Sequence, residues 1–280
     1  MDYLCCINFF NKFLYHFLFI LFYVKIRKCL LSKFMKNCSY NEIAEDYHLK
    51  RAKPWDIIQD FLNYLKGKNY AFNGLCIDLG CANGRNFKLF KNNDNKLIGI
   101  DNSYELLKFA RNNLKNAFQF EKSENNNIQL ILADLERIPI RLNLIDTFFI
   151  IATIHHIKTK IKREKTVDQL YDLLKKNGYL ILSVWRRWQK KFKKRFVIDY
   201  VKRKFNYSYR KSQKETGLPD FGDNYVPWHF SKEEKTIVRF FHFFSKKEIK
   251  ELLASFKIKE LVNKGGPTKK DNIILLAQKS

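Results

Sequence analysis

Three aspartates and two glycines are spaced so that they could bind a nucleoside. Asp78, Gly80 and Gly84 lie in the segment DLGCANGR, which follows a short apolar run and precedes a stretch of helical character. Glycines at such a turn let the backbone approach a ligand closely. Asp101 and Asp134 each follow a later apolar run, where a carboxylate can accept hydrogen bonds from ribose hydroxyls or an adenine amino group. The ordered set predicts a site for a nucleoside cofactor.

The glycine loop distinguishes between two classes of cofactor. A dinucleotide fingerprint reads GxGxxG, but this loop has alanine where the middle glycine would be. A sulfonium nucleoside needs a backbone loop near its methionine part, a carboxylate for its ribose and a polar contact for adenine. A purely structural turn would not require acids at the next two strand ends, so we predict S-adenosylmethionine as cofactor. The residues expected to bind it are Asp78, Gly80, Cys81, Asn83, Gly84, Asp101, Asn102, Asp134, Leu135 and Ile154.

Apolar runs and helical stretches alternate along the chain, which predicts a Rossmann-like α/β fold with a doubly wound parallel sheet. Two short helices are expected before the first strand, and further strands after Thr236 complete a sheet of seven. Between them lies an inserted basic segment, residues 186–235, whose second half from Gly217 is expected to be irregular. The five strands expected before it are Leu75–Leu79, Lys96–Ile100, Ile128–Ala133, Asp146–Ala152 and Tyr179–Trp185.

The charge of the chain bears on its partners. Its 280 residues include 53 basic and 28 acidic ones, a net charge of +25 that favours nucleic acid or a membrane surface. A Lys- and Asn-rich genome would give the same excess without function. Within the basic segment, where aromatic residues are interleaved, we expect Lys193, Lys194 and Arg195 to hold RNA phosphates. The alternative is a solvated helix whose aromatic residues face the core.

The cysteines and the N-terminal residues bear on the compartment. The six cysteines form no metal-binding pattern, and neither zinc nor a disulfide is predicted. Residues 3–24 are rich in Phe, Leu and Ile and are followed by basic residues, as in a membrane anchor that faces the cytoplasm. The other interpretation is a gene-model extension before Met35. We therefore separate a leader, residues 1–35, from a cytoplasmic domain, residues 36–280.

Several short motifs occur in an order that resembles one known family. They are YNEIA from Tyr40, Arg51 with KPW from Lys53, IHH from Ile154, VW from Val184, VPW from Val226 and RFFH from Arg239. The family is the tRNA wobble-uridine carboxymethyl methyltransferases, which include the methyltransferase domain fused to AlkB-type oxygenases. The DLGCANGR segment is shared with all class I methyltransferases, whereas KPW, VPW and RFFH are more specific. The resemblance covers residues from about Tyr40 to Lys279.

The resemblance implies methyl transfer to the carboxylate of 5-carboxymethyluridine at position 34 of a tRNA, giving the methyl ester. A carboxylate is ionised at neutral pH, so no strong general base is needed and catalysis rests on orientation. We expect Arg239 and His242 to hold this carboxylate, Arg51 to lie over the cofactor or substrate, and His156 to lie at the end of the fourth strand. Alternatively, Arg51 pairs with Glu45, and His156 is a satisfied structural group.

The resemblance also implies partners, namely the tRNA anticodon loop and a small zinc-binding activator protein beside the sheet. Trp228 is expected to form a wall of the substrate pocket, and Trp55 to pack in the core. Two other functions stay open. One is a class I methyltransferase that acts on a small molecule or lipid, and the other is a non-catalytic methyltransferase-like subunit that binds RNA or a protein partner.

Overall fold

The computed structural model describes residues 40–92, 94–118 and 128–280. The predictions of an anchor at residues 3–24, of a start at Met35 and of a leader at residues 1–35 lie outside the described residues. In the described ranges no helix is long and apolar enough to cross a membrane.

The strands follow the predicted alternation closely. They are β1 (Gly74–Leu79), β2 (Asn95–Asp101), β3 (Gln129–Leu132), β4 (Ile145–Ile151), β5 (Leu174–Trp185), β6 (Asp223–His229), β7 (Thr236–His242), β8 (Phe256–Lys264) and β9 (Asn272–Lys279). The helices are α1 (Ala44–Lys50), α2 (Asp56–Gly67), α3 (Phe87–Phe90), α4 (Tyr104–Phe118), α5 (Lys160–Leu173), α6 (Lys193–Phe205), α7 (Tyr207–Glu215) and α8 (Lys246–Leu252). The two helices predicted before β1 are thus confirmed.

Seven strands form one sheet in the order β3-β2-β1-β4-β5-β9-β8. The predicted seven-stranded α/β fold is confirmed, and β1 to β5 are parallel as expected. One strand differs from the prediction of a parallel sheet, because β9 runs antiparallel between β5 and β8. The carboxyl ends of β1 to β4 consequently meet at one edge, where ligands bind in open α/β sheets.

Helices cover both faces of this sheet, so its central strands are apolar on both sides. Successive residues of β4 show this, since Phe148 belongs to the cluster under α5 and α8. Its neighbour Phe149 belongs to the cluster under α2, α3 and α4. Phe149 stacks on Phe90 of α3, with ring centroids 4.0 Å apart and planes inclined by 6°.

The inserted segment contains more regular structure than the sequence suggested. The stretch expected to be irregular includes β6, which pairs with β7 in a separate antiparallel hairpin. The prediction missed β6 because Pro227 lies inside it, and proline is tolerated in a strand only where no ladder amide is required, as at an edge. The hairpin packs with α6 around a third apolar cluster that includes Phe196, Val226, Phe241 and Phe243.

The stacked pair under α3 gives a prediction of stability. Phe90→Ala should lower the free energy of unfolding by about 3–4 kcal/mol, because it leaves a cavity against Phe149. Leu142→Ala, at a side chain that is 67% exposed, should change it by less than about 0.5 kcal/mol. Urea unfolding followed by circular dichroism measures both variants, and equal losses would contradict this packing.

Candidate cofactor and substrate site

The loop between β1 and α3 lies at the carboxyl edge of the sheet. Its backbone is left-handed at Gly80, Ala82 and Gly84, with φ of 79°, 51° and 71°. A Cβ at Gly80 would lie 2.1 Å from Cγ2 of Thr153, so a side chain does not fit there. The Gly80 amide donates to the carbonyl of Ile100 at 2.7 Å. The loop is therefore tied to the end of β2.

Two buried aspartates flank this loop. Oδ2 of Asp101 accepts from the Ala82 amide and Oδ1 from the Ser103 amide, both at 2.8 Å, so each oxygen keeps a lone pair for a ligand hydroxyl. Oδ2 of Asp78 is buried and has no hydrogen-bond partner among the described residues. Burial, and after it the charge of Asp101, raises the pKa of Asp78 to about 8.

These acids fit a ligand that brings donors and positive charge. A buried acceptor without a donor costs about 1–3 kcal/mol, which a ligand ammonium or hydroxyl near Asp78 would recover. S-adenosylmethionine carries ribose hydroxyls, an ammonium group and a sulfonium group. Asp78 and Asp101 therefore suit it better than they suit a dinucleotide, whose pyrophosphate is negative.

Asn83 connects the loop to the segment before α2. Its Nδ2 donates to the Arg51 carbonyl at 3.0 Å, whereas its Oδ1 is buried without a partner in the described part of the chain. Asn113 of α4 donates to the Asn83 carbonyl at 2.8 Å. The loop thus fixes the backbone at Arg51, in the N-terminal segment that carries the KPW motif.

The other predicted cofactor residues also lie near the strand ends. Asn102 is exposed after β2, and Asp134 is exposed two residues beyond β3. Cys81 and Leu135 pack against the two main clusters. Ile154 is 1% exposed, so its side chain is occupied in the core and only its backbone remains for a ligand. Contact of these five residues with the cofactor stays a prediction.

Ala82 has a left-handed backbone with φ of 51°, and the strain of this conformation is testable. The left-handed region costs an L-residue about 1–2 kcal/mol, while glycine costs about 0.5–1 kcal/mol in backbone entropy. Ala82→Gly should therefore raise the free energy of unfolding by about 0.5–1 kcal/mol. Thermal unfolding checks this, with Ala71→Gly as the control in an exposed loop; destabilisation by Ala82→Gly would contradict the strain.

Three arginines at the candidate site, Arg51, Arg85 and Arg239, form no ion pair within the described ranges. The guanidinium carbon of Arg239 lies 4.5 Å from the ring centroid of Trp228 and 5.0 Å from that of Phe241. Its Nε is buried without a hydrogen-bond partner there. Burial, and then the charges of Arg85 and Arg239, lower the pKa of Arg51. Arg85 and Arg239 therefore each lie within electrostatic reach of Arg51, and the surroundings of Arg51 are electropositive.

The alternative partner considered for Arg51 is engaged elsewhere. Glu45 lies 3.3 Å from Nζ of Lys232 in an exposed ion pair. Arg51 instead donates from Nη1 to the carbonyl of Lys50 at 3.1 Å. Arg51 therefore does not pair with Glu45, and its contact with the cofactor or substrate stays a prediction.

The structure corrects the role expected for Trp228. The ring is only 6% exposed and stacks on Tyr47 at a centroid distance of 5.9 Å. Its Nε1 donates to Oδ2 of Asp46 at 2.8 Å. One contact of the Trp228 ring is with the guanidinium of Arg239 and another is with Tyr47, so the ring has no open face for stacking on a uridine. Trp55, predicted to pack, does pack against the cluster under α2.

His156 connects the N-terminal segment to the hairpin. The Tyr40 hydroxyl lies 2.8 Å from Nε2, and the Phe240 carbonyl lies 3.0 Å from Nδ1. Since a carbonyl only accepts, Nδ1 carries the proton and Nε2 accepts from Tyr40. Burial, with a smaller effect of the Arg239 charge, lowers the pKa of His156 to about 3. His156 is thus neutral at physiological pH.

The structure also corrects the role expected for His242. Its side chain is fully buried, with Nδ1 2.7 Å from Oδ1 of Asp223 and Nε2 2.7 Å from Oε1 of Glu248. Carboxylate oxygens accept, so both ring nitrogens donate and the ring is an imidazolium. Glu248 also binds Arg187. Burial would raise the pKa of Glu248, but the hydrogen bond and charge of His242 outweigh it and lower that pKa. His242 therefore joins the hairpin to α8 and cannot reach a substrate.

The network around His242 predicts a stability effect. His242→Ala should lower the free energy of unfolding by about 3 kcal/mol, because it leaves the buried carboxylate of Asp223 without its partner, while Glu248 keeps only Arg187. Lys247→Ala on the same helix removes an exposed pair with Glu251 and should cost less than about 0.5 kcal/mol. Urea denaturation measures both, and a similar small loss in the two variants would exclude the network.

The three residues expected to contact RNA are exposed in the first turn of α6. The aromatic residues interleaved with them differ in exposure, so they fit neither RNA contact alone nor a helix with all its aromatic residues in the core. Phe196 is 1% exposed and faces the core, whereas Tyr200 is 51% exposed. RNA contact by Lys193, Lys194 and Arg195 stays a prediction.

Several residues important to the site had not been selected from the sequence. The position of Glu248 at the start of α8 was predictable, because Ser245 and Glu248 form the S-x-x-E pattern of a capping box. Both hydrogen bonds of that box are present in the structure. Asp46, which holds Trp228, and Arg85, which lies near Arg51, had no such local signal. Their roles depend on contacts between segments distant in the chain.

Comparison with known proteins agrees with this geometry. Residues 77–182 match the family model described as a methyltransferase domain. A Schizosaccharomyces pombe protein named tRNA (carboxymethyluridine(34)-5-O)-methyltransferase is 27% identical over 76% of this chain and 84% of its own length. A Saccharomyces cerevisiae protein of the same name is 30% identical over 52% of this chain but only 46% of its own length. The crystal structure of a SAM-dependent methyltransferase from Methanosarcina mazei has a TM-score of 0.57 at 17% identity, covering 81% of this chain and 98% of that one.

The fold and the acid-lined glycine loop define a class I methyltransferase whose cofactor is S-adenosylmethionine. The motifs outside that loop narrow the class. Within it, the relatives just described support the wobble-uridine methyltransferase family for this chain.

Proposed function

We propose that the chain methylates the carboxylate of 5-carboxymethyluridine at the wobble position of a tRNA. The observation that carries this proposal is the half-buried guanidinium of Arg239, whose Nε is buried without a hydrogen-bond partner and which forms no ion pair in the described structure. A substrate carboxylate would supply that anion with a charge-assisted hydrogen bond. The names of the relatives, given above for those proteins, point to the same substrate, and the charge of +25 suits a polyanion.

The reaction does not need a general acid or a general base. Bound S-adenosylmethionine supplies the electrophilic methyl group, whose bond to sulfur breaks as a carboxylate oxygen bonds to the methyl carbon, giving the ester and neutral S-adenosylhomocysteine. The carboxylate is already ionised at neutral pH, so no proton has to be removed. His156, whose pKa is lowered to about 3, is a neutral positioning residue that is bonded to Tyr40 and Phe240.

The residues of the pocket would then act by orientation and exclusion of water. Arg239 would fix the carboxylate, because its rotation is restricted by the rings of Trp228 and Phe241. Arg51 would add positive charge beside the glycine loop. On the other side, Asp78 and Asp101 would hold the cationic cofactor. The two reactants therefore meet between a basic and an acidic wall.

Three further proposals follow from the resemblance to this family. The substrate contact is with the anticodon loop, and the reaction takes place in the cytoplasm. A small zinc-binding protein pairs beside the sheet as an activator. In support of the last, β3 is an edge strand and its Leu132 is 56% exposed.

The nature of the product tests the reaction. The chain, with labelled S-adenosylmethionine and tRNA that bears 5-carboxymethyluridine, should yield label that mild alkali releases as methanol. A methyl ester is hydrolysed under these conditions, whereas methyl groups on ring nitrogen, carbon or ribose oxygen are retained. Alkali-stable label, or label found only in a lipid extract, would refute the proposal. Since an activator is proposed, the assay is run with and without cell extract.

Arg239 provides the prediction for the substrate side. Arg239→Met should lower kcat/KM by about 100-fold, which corresponds to the loss of about 3 kcal/mol from one charged hydrogen bond. Arg239→Lys, which keeps the charge without the planar stacking, should be intermediate. The Kd of S-adenosylmethionine, measured by calorimetry, should change less than twofold. Arg141→Met, at an exposed arginine, is the matched control; an equal loss in the control, or loss of cofactor binding, would contradict this role.

A further inference from the structure

We propose that α6 docks on an anionic membrane surface through an apolar crest. The crest consists of Val197, Ile198, Val201 and Phe205, which are 47%, 44%, 48% and 76% exposed. Val197, Val201 and Phe205 follow one another at intervals of four residues, so they lie along one line of the helix, with Ile198 beside them. This is a continuous apolar ridge on an otherwise basic segment.

The ridge points away from the protein. The inner face of α6 carries Phe196 and Asp199, which are buried, and Arg203, which binds Asp199 at 2.8 Å. Tyr209 of α7 donates to the other oxygen of Asp199, also at 2.8 Å. At 100° per residue, Val201 lies nearly opposite the middle of this inner face. A helix on a protein that meets only water carries polar residues there.

Basic residues border the crest on both sides. Lys193 and Lys204 lie on one flank of the helix and Arg195 and Lys202 on the other, and all four are exposed. Asp199 is the sole acidic residue of the sequence between positions 186 and 214, and it is buried in the contacts just described. The outward side of α6 therefore combines apolar surface with positive charge and presents no carboxylate that would repel an anionic surface.

This combination fits lipid better than it fits RNA. Val197, Ile198 and Val201 are aliphatic, so they neither stack on bases as aromatic rings do nor bind phosphate. An anionic bilayer surface receives both basic flanks at once, while the apolar line enters the boundary between headgroups and acyl chains. Phe205 and Tyr207, 76% and 72% exposed at the junction of α6 and α7, are of the aromatic type enriched at that depth.

Depth-dependent quenching tests the contact at the crest itself. In the full chain, Phe205→Trp should lose at least half of its added fluorescence on vesicles of brominated phosphatidylcholine and phosphatidylserine. Ile161→Trp, at an exposed position of α5 that is not part of the crest, should keep its own. The wild-type signal is subtracted from both. Because the readout is local, it separates docking of α6 from any anchoring by residues 3–24. Equal quenching at both positions, or none at Phe205→Trp, would overturn the proposal.

A second pair of variants measures the contribution of the crest to binding. Val201→Ser with Phe205→Ser should reduce the vesicle partition coefficient that depends on phosphatidylserine by at least about tenfold, whereas Ile161→Ser should leave it unchanged. All of these side chains are exposed, so the fold should tolerate the changes. If the double variant instead loses affinity for tRNA and keeps its partition into vesicles, the crest is an RNA surface and the membrane proposal is wrong.

Discussion

A half-buried guanidinium without a counter-ion is the constraint on which the rest of the site depends. Stacking on two rings contributes about 0.5–2 kcal/mol for each cation–π contact, which offsets only part of the cost of removing the charge from water. An acidic side chain in the same place would stabilise Arg239 better but would repel a carboxylate substrate. Part of the desolvation cost of Arg239 therefore remains uncompensated in the free protein. A bound anion would compensate it, and this contributes to the affinity for an anionic substrate.

The surrounding structure holds this cation in place. Trp228 is fixed by Asp46, and Phe241 packs on the ring of Trp185 at a centroid distance of 4.4 Å. The imidazolium of His242 joins the same strand to α8. Each of these contacts reaches the hairpin from a different part of the chain. The hairpin of β6 and β7, held by these contacts, thus places the positive charge of Arg239 near the edge of the sheet where Asp78 and Asp101 lie.

How much the sequence revealed depended on how local each signal was. The loop from Asp78 and the acid at Asp101 were predictable, because each follows an apolar strand and strand ends of one parallel sheet meet at one edge. The roles of Trp228 and His242 were not, since their burial results from Asp46 and Glu248, which lie far from them in the sequence or belong to another element. Residue type identified both as important, but a tryptophan or histidine can support a site or touch the ligand with the same local pattern.

The prediction of an irregular segment where β6 lies was wrong for a related reason. Pro227 and the flanking turn residues favour an irregular segment, and only pairing with β7 makes a strand of them. The apolar crest of α6 shows the opposite case. Helical spacing alone does not reveal that its residues are exposed, since only the contacts of Phe196 and Asp199 define the inner face.

The placement of β9 has a consequence for biosynthesis. This strand lies between β5 and β8, and it comes after both of them in the sequence. While a ribosome is translating the chain, β5 and β8 have no partner on those edges until β9 emerges, and the apolar face of Ile273 to Ala277 is missing from both layers of the core. The segment of the glycine loop is synthesised early, but the sheet that carries it closes only after β9 has been synthesised. We therefore expect nascent chains to keep unpaired strand edges, which favour aggregation, until β9 has emerged.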